Sequence, residues 1–177
     1  MAINTLPNGY ILNGEYKIIR VLGQGGFGVT YLAEDVNLGH KVVIKEFMPQ
    51  SMSVRDQSEY TVHPYSDSDS TFNHMLNRFL EEAKLLATLR HPSVVKVTRF
   101  LKANNTAYFV MDYEEGMTFE DYLEKHSTID EDKLLSIMMP ILEGAKYIHS
   151  KGVLHRDIAP DNIFLRKFWL GKVKIFK

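Results

Sequence analysis

The 177-residue sequence contains no cysteine, and this absence excludes two kinds of site. Without thiols the chain can form neither a disulfide framework nor a thiolate metal centre. The sequence also lacks an excess of charge of either sign. Its 21 lysines and arginines face 22 aspartates and glutamates, for a formal net charge of −1. No overall field therefore attracts nucleic acid or an anionic membrane surface.

Long apolar runs are missing as well. No stretch approaches the roughly 20 apolar residues that a membrane-spanning helix needs. Residues 1–17, MAINTLPNGYILNGEYK, have neither the basic region nor the apolar core of a signal peptide. We therefore expect a soluble, cytoplasmic protein. Apolar residues make up 45% of the chain, which is enough for one domain or for two small lobes.

The N-terminal part of the chain predicts an α+β lobe with five strands and one helix. A helix is predicted from Phe72 to Leu89, because apolar residues recur there at spacings of three and four. His91–Pro92 would end this helix, since the residue before proline avoids the helical region. Runs rich in β-branched and aromatic residues predict strands at 16–22, 28–34, 41–46, 94–101 and 106–113.

Residues 47–71, FMPQSMSVRDQSEYTVHPYSDSDST, interrupt this pattern. They are polar, rich in serine and aspartate, and without a sustained hydrophobic period. The segment predicts a long surface loop. Two roles remain open for it: an insertion that the fold tolerates, and a docking or regulatory loop.

The C-terminal part predicts mainly helices. After the connector EEGMT, a short helix is expected at 118–126 and a long one at 130–150, followed by short strands at 163–165 and 173–176. The long helix has a broad apolar stripe, which comprises Leu134, Ile137, Met138, Ile141, Leu142, Ala145 and Ile148.

A glycine motif, Gly23-x-Gly25-x-x-Gly28, lies between the first two predicted strands. Glycines allow backbone amides to approach phosphate oxygens closely. A dinucleotide-binding fold would continue into a helix, whereas the strand-like VTYLAE follows here. The motif therefore favours a hairpin lid over phosphates, with a tight hairpin that binds no ligand as the alternative.

Lys45 ends the apolar strand run VVIK. A lysine at such a place is often an edge residue whose ammonium reaches water. A role in binding requires a carboxylate that holds the ammonium. The predicted helix offers Glu82 on its packed side, while Glu81 is the solvated neighbour.

His155-Arg156-Asp157 and Asn162 form a second polar group, after the long predicted helix. An aspartate and an asparagine in one short loop can orient a hydroxyl nucleophile and hold a metal ion. The alternative is an aspartate that only stabilises a turn.

Taken in order, the glycine hairpin, the strand lysine, the helix glutamate, the segment VMDYEEG and the HRDxxxxN loop resemble a eukaryotic-type protein kinase domain of the Ser/Thr class. The string GGFGVTYLAE resembles bacterial members. The resemblance spans about residues 10–165. It implies an α+β kinase-like fold, with a complete N-lobe at 1–113 that contains the 47–71 insertion loop, and a partial C-lobe with the catalytic loop at 114–177.

The resemblance also implies roles for individual residues. Asp157 would accept the proton of the substrate hydroxyl, Lys45 paired with Glu82 would hold the α- and β-phosphates of ATP, and Asn162 would bind one magnesium ion (Mg²⁺). The partners implied are ATP and a protein substrate or partner protein. The implied ATP-binding set is Leu22, Gly23, Gly25, Gly28, Thr30, Val43, Lys45, Met111, Asp112, Tyr113 and Phe164.

Two departures from the family pattern concern catalysis. Ala159 stands where the family has a lysine that touches the γ-phosphate, and Asp161 supplies no replacement cation. The metal-binding Asp-Phe-Gly expected after VKI at 173–175 does not follow, and residues 163–177 contain no aspartate or glutamate. We therefore expect an incomplete Mg²⁺ site and impaired activity in this chain. Two hypotheses remain: a truncated Ser/Thr kinase, and an inactive pseudokinase that binds ATP or a partner protein.

The family resemblance has a consequence for the long helix at 130–150. In the family, its apolar stripe packs on a central C-lobe helix for which this sequence has no counterpart. We therefore expect Ile137, Met138, Ile141 and Leu142 to be exposed and to cause self-association or binding of a partner.

Overall fold

The structure is a computed structural model that describes residues 4–155, 157–167 and 173–175, the last three by their backbone alone. The chain forms two compact units. The first comprises Met1–Thr88 and Val97–Tyr113, and the second comprises Leu89–Lys96 and Glu114–Lys177. Residues 89–96, which the predicted N-lobe included, therefore cluster with the second unit. None of the helices in the described ranges is long and apolar enough to cross a membrane.

The first unit is built on an antiparallel sheet with the strand order β1-β2-β3-β4-β8-β7. All five predicted strands are present in it. The sixth, β1, is a two-residue strand joined to β2 by a turn at Asn13 and Gly14, both of which have positive φ. The strands and the helix of this unit are β1 (Ile11–Leu12), β2 (Tyr16–Gly25), β3 (Gly28–Asp35), β4 (Lys41–Phe47), β5 (Ser53–Arg55), β6 (Val62–Pro64), α1 (Asp69–Thr88), β7 (Val97–Ala103) and β8 (Thr106–Asp112).

The segment 47–71 is not the surface loop that its composition predicted. It forms an antiparallel hairpin of β5 and β6 and then the first residues of α1. Ser53, Arg55 and Val62 of this hairpin are buried. The prediction was wrong because two of the inward-facing residues are polar, so the strands show no hydrophobic alternation. The Asp56 carboxylate accepts hydrogen bonds from Ser58 in the hairpin turn, and they lower its pKa to about 2.

The hairpin is anchored by a charged cluster in the interior of the first unit. The Glu46 carboxylate on β4 accepts hydrogen bonds from Arg55 Nη2 at 2.6 Å, Tyr108 Oη at 2.6 Å and Tyr31 Oη at 2.7 Å. Both side chains of the Arg55–Glu46 ion pair are fully buried. Arg55 Nη1 also donates to the Tyr60 carbonyl at 2.6 Å. Buried charges are tolerated only when they are paired and hydrogen-bonded in this way.

The cluster also holds the N-terminal segment. The Leu6 amide donates to Tyr31 Oη at 3.0 Å, and the Arg55 amide donates to Asn4 Oδ1 at 3.2 Å. Burial, reinforced by the negative charge of Glu46, raises the pKa of Tyr31 and of Tyr108 well above the ordinary tyrosine value. For Arg55, burial opposes the charge, but the attraction and hydrogen bond of Glu46 outweigh it and raise the pKa. Arg55 therefore stays charged, and both phenols stay protonated.

Helix α1 packs on the sheet through aromatic residues. Phe47 of β4 lies 5.2 Å from Phe72, and Phe79 stacks on Phe109 of β8 at 4.8 Å, both measured between ring centroids. Such pairs add about 0.5–1.5 kcal/mol each beyond the area they bury. The other buried residues of the helix are Leu80, Ala83 and Leu86.

In its described residues, the second unit has two helices, a short 3₁₀ turn and a three-stranded sheet. Thr118 caps α2 in a reciprocal arrangement with Asp121, and Asp130 caps α3 through the Lys133 amide. The sheet order is β11-β10-β9. The elements are β9 (Gly116–Thr118), α2 (Phe119–Lys125), α3 (Glu131–Ser150), the 3₁₀ turn (Pro160–Asn162), β10 (Ile163–Arg166) and β11 (Val173–Ile175).

The apolar stripe of α3 is only partly exposed, which corrects the expectation for this helix. Ile137 and Ile141, predicted to lack a partner, are 0% and 1% exposed. These two residues are therefore not available to the proposed self-association. Met138 is half-buried, and Leu142 of the stripe is 55% exposed. Leu135 and Met139, which lie outside the predicted stripe, are 47% and 51% exposed, and with Leu142 they are spaced four and three apart. We call these three residues the exposed α3 face.

Gly28 is required by close packing at the start of β3. It pairs with Phe47 of β4. A Cβ atom at Gly28 would lie 2.1 Å from the Glu46 carbonyl oxygen. Gly26, two residues earlier, has no atom within 4 Å of the same position. The two glycines therefore have different structural requirements.

The Arg55→Met variant tests the buried ion pair. It leaves the Glu46 carboxylate buried without its counterion, which typically costs about 3–5 kcal/mol of unfolding free energy. Urea denaturation of the variant measures this loss. Arg99→Met, which breaks the exposed Arg99–Glu15 pair, should cost at most about 1 kcal/mol. Equal losses in both variants would contradict the account, and adding Glu46→Gln to Arg55→Met should recover much of the stability.

Gly28→Ala should destabilise the protein because the new methyl group meets the Glu46 carbonyl, at a cost of about 1–3 kcal/mol for overpacking. Gly26→Ala is the matched control and should stay within about 0.5 kcal/mol of the wild type. Thermal unfolding of the two variants compares them directly. A Gly28→Ala protein as stable as Gly26→Ala would show that β3 and β4 separate freely at this point.

Candidate functional site

One face of the first sheet brings together four of the predicted ATP-binding residues. Directly paired residues of neighbouring strands lie on the same face, as do residues two apart along one strand. Thr30 pairs with Lys45, Lys45 with Phe109, and Val43 with Met111. Thr30, Val43, Lys45 and Met111 therefore share one face of the sheet.

The Lys45 ammonium lies on this face, 5.8 Å from the centroid of the Phe109 ring. Phe109 stacks on Phe79 of α1, and Glu82 lies one helical turn after Phe79. Glu82 is half-buried while Glu81 is exposed. The four ion pairs among the described residues do not include one between Lys45 and Glu82. That pair therefore stays a prediction.

The glycine motif forms the tip of the β2–β3 hairpin. The ladder extends to the pair Gly25–Gly28, and Gly23 pairs with Thr30. The side chain of Leu22 is 41% exposed. A Cβ atom would meet no neighbour within 4 Å at Gly23 or Gly25. Packing within the protein therefore does not require glycine at these two positions, which leaves room for the approach of a ligand.

Three residues of the predicted ATP-binding set, Met111, Asp112 and Tyr113, lie at the end of β8. Met111 is buried, Asp112 is exposed and Tyr113 is half-buried. Asp112 forms the last pair of β8 with β4, opposite Val42. Tyr113 follows beyond this ladder, so its backbone groups are not used by strand pairing. The Lys41 ammonium lies 5.6 Å from the Tyr113 ring.

The second unit brings Asp157 and Asn162 together. Asn162 Nδ2 donates to Asp157 Oδ2 at 2.8 Å and to the Asp157 carbonyl at 3.3 Å. The 3₁₀ turn at Pro160–Asn162 returns the chain to make these contacts. The Asp157 amide donates to Nδ1 of the buried His155 at 3.3 Å. The Asp157 carboxylate is thus oriented and exposed. Arg156 lies outside the described residues.

Phe164, a member of the predicted ATP-binding set, belongs to β10 of the second unit. It is half-buried and pairs with Thr118 of β9. Gly116 of β9 is packed so closely that a Cβ atom there would lie 2.8 Å from Phe164 Cε1. This contact restricts the Phe164 ring on the β9 side.

Asn162 retains the properties of a Mg²⁺ ligand. Its amide nitrogen donates to Asp157, and its side-chain oxygen is of the kind that Mg²⁺ prefers as a ligand. Within residues 4–155 and 157–167, no group of three or more histidine, aspartate or glutamate side chains could hold a metal. An ion held by Asn162 would therefore take its other ligands from phosphates and water. When bound, such an ion would neutralise phosphate charge.

The sequence missed one contact of the glycine hairpin. Gln50 Nε2 donates to the Gly25 carbonyl at 3.2 Å. Gln50 lies in the polar segment after β4, and its residue type carries no signal that would distinguish it from other loop residues. Gln50 lies beside the Gly25 carbonyl only because of the register in which the β2–β3 hairpin is paired, and the sequence does not reveal that register.

Comparisons with known proteins agree with this geometry. The chain is 33% identical over 166 residues to Serine/threonine-protein kinase pkn2 of Myxococcus xanthus, covering 94% of this chain and 18% of that protein. It is 30% identical over 164 residues to Serine/threonine-protein kinase PrkC of Bacillus subtilis (strain 168), covering 93% of this chain and 22% of that protein. The chain thus spans about a fifth of the length of these curated relatives.

Solved structures show the same fold. The apo form of PpkA-294 superposes with a TM-score of 0.90 at 34% identity, covering 98% of this chain and 61% of that one. The PknI kinase domain of Mycobacterium tuberculosis has a TM-score of 0.72 at 22% identity, covering 97% and 60%. The predicted α+β kinase-like fold is therefore confirmed. The family model for the protein kinase domain matches residues 16–176, and the chain therefore belongs to the protein kinase domain family.

Proposed function

We propose that this chain is the ATP-binding part of a Ser/Thr protein kinase, which transfers the γ-phosphoryl group of ATP to a protein hydroxyl when the remainder of the domain is present. The observation that carries the proposal is the sheet face shared by Thr30, Val43, Lys45 and Met111. It combines apolar side chains suited to a flat base with one cation suited to phosphates. The kinship with bacterial Ser/Thr kinases supports the same assignment.

Each part of ATP has a proposed partner. Leu22, Val43, Met111 and Phe164 supply apolar contacts to adenine, and the Asp112–Tyr113 backbone binds its edge. Lys45, positioned by Glu82, neutralises the α- and β-phosphates, and Asn162 holds one Mg²⁺ ion. Asp157 orients the substrate hydroxyl and accepts its proton. The remaining proposed phosphate contacts are backbone groups near Gly23, Gly25, Gly28 and Thr30.

A second candidate function is that of an inactive pseudokinase that binds ATP or a partner protein. Two sequence facts favour it: Ala159 replaces the lysine of the catalytic loop, and residues 163–177 lack any carboxylate side chain. Loss of one preorganised group that stabilises the transition state costs about 10²–10³ in rate. We propose a cytoplasmic location for either candidate.

ATP should bind the purified chain weakly, and Lys45→Ala should abolish this binding because the phosphates lose their cation. Isothermal titration with and without Mg²⁺ measures both effects. We expect Mg²⁺ to tighten binding by less than about a hundredfold, because among the described residues no group of three or more carboxylate or histidine side chains could hold the ion.

The matched control is Lys17→Ala, which removes an exposed lysine of β2 and should leave the affinity unchanged. Equal affinities in the Lys45→Ala and wild-type proteins would overturn the assignment of the sheet face.

Phosphoryl transfer separates the two candidate functions. With this chain, ATP and a generic protein acceptor, we expect no transfer above that of Asp157→Ala, because two charged groups of the reaction are missing. A version of the chain extended by a metal-binding Asp-Phe-Gly segment should transfer the phosphoryl group, and this transfer should depend on Asp157. An extended chain that still binds ATP but transfers nothing would favour the pseudokinase.

Self-association through the exposed α3 face is the proposed partner interaction of the chain alone. Fully burying a Leu or Met side chain contributes about 1.5–3 kcal/mol, so three together favour pairing with a second copy. Light scattering should detect assemblies that Leu135→Glu with Leu142→Glu disperses. Leu38→Glu, at a leucine that is 72% exposed in the first unit, should leave them intact; a monomeric wild-type chain would refute the interaction.

A further inference from the structure

The tip of the glycine hairpin is hydrogen-bonded to Met48 and Gln50, which follow β4. The Met48 amide donates to the Phe27 carbonyl at 3.1 Å, and the Gln50 amide donates to the Gly26 carbonyl at 3.3 Å. Gln50 Nε2 donates to the Gly25 carbonyl at 3.2 Å. Three consecutive carbonyl groups of the turn are therefore directed toward one short segment, 48–50.

The segment 48–50 is itself fixed. Met48 and Pro49 are buried, and the Pro49 carbonyl accepts hydrogen bonds from Ser53 Oγ at 2.8 Å and from the Met52 amide at 3.2 Å. These bonds join the segment to the β5–β6 hairpin. Because the segment 48–50 is fixed, it can restrain the glycine turn. A mobile segment could not.

The β5–β6 hairpin is in turn anchored to the strand that carries Lys45. Arg55 of β5 forms the fully buried ion pair with Glu46, the residue next to Lys45. The connection thus runs from the glycine turn through residues 48–55 to Glu46. It links the two parts of the first unit that are proposed to contact phosphates: the glycine turn and the Lys45 strand.

We infer that Gln50 is a positioning residue for the nucleotide phosphates: it braces the glycine turn against the segment anchored by Arg55. The inference rests on the proposed function, since it assigns the restrained turn to phosphate binding. Phosphate oxygens only accept hydrogen bonds from a protein, so a carbonyl oxygen that faced them would repel them. Bonding of the Gly25, Gly26 and Phe27 carbonyls to residues 48–50 holds these oxygens in place before a ligand arrives. Preorganisation of this kind lowers the ordering cost of binding.

Substitution of Gln50 tests the brace without loss of the fold, because its side chain is exposed. The backbone amide of residue 50 still donates to the Gly26 carbonyl in every variant. Gln50→Ala removes the Nε2 donor. Gln50→Glu keeps the side-chain size but places an acceptor beside the Gly25 carbonyl. Gln57→Ala is the matched control, since Gln57 is an exposed glutamine in the turn of the β5–β6 hairpin.

Hydrogen exchange of residues 25–28 in the ligand-free protein is the first measurement. Gln50→Ala and Gln50→Glu should both exchange faster than the wild type in this turn, and Gln57→Ala should not. The second measurement is the affinity for ATP and for adenosine, which lacks phosphates. Loss of one hydrogen bond predicts about three- to tenfold weaker ATP binding in both Gln50 variants, with adenosine binding within about twofold of the wild type.

The outcomes separate this inference from the proposed function. Unchanged exchange in the Gln50 variants would overturn the brace, whether or not ATP binds. Equal weakening of ATP and adenosine binding would also overturn it, because a phosphate-positioning role predicts a difference between the two ligands. A wild-type protein that binds neither ligand would overturn the proposed function, while the exchange comparison would still decide whether Gln50 restrains the turn.

Discussion

The Glu46 carboxylate is the interaction on which the first unit depends. It is buried among Arg55, Tyr31 and Tyr108, so four sequence-distant segments meet at one charge. An unpaired carboxylate in this place would cost several kcal/mol. Formation of the β5–β6 hairpin is therefore coupled to correct docking of β4. Since Lys45 directly precedes Glu46, the buried carboxylate is the sequence neighbour of the proposed phosphate-binding cation.

The alternation of side chains along β4 explains how one strand both buries Glu46 and presents Lys45, the proposed phosphate-binding cation. Val42, Ile44 and Glu46 face the interior, while Val43 and Lys45 face the opposite side of the sheet. A one-residue slip would exchange the two sets and bury Lys45 in place of Glu46. Arg55 would then lose its counterion. The buried pair thus fixes the register that presents Lys45 on the face with Thr30 and Met111.

The sequence predicted the parts of the fold that follow a hydrophobic period. All five main strands and the three helices lie where alternation or three-and-four spacing placed them. The hairpin at 53–64 was missed because Ser53 and Arg55 face inward, and a buried arginine looks like a surface residue until its partner is known. The exposure of α3 was misjudged for Ile137 and Ile141, since one sequence pattern cannot separate the covered half of a broad stripe from the open half.

The order of the motifs along the chain made part of the candidate site predictable. Asp157 and Asn162, five residues apart in one loop, are hydrogen-bonded, and the strand register unites Thr30, Val43, Lys45 and Met111 on one face. The role of Gln50 was not predictable, because it depends on a backbone path that only the anchored hairpin creates. A polar segment without a hydrophobic period can thus be structural when its polar groups are paired internally. In this protein, that pairing reaches from the glycine turn to the strand that carries Lys45.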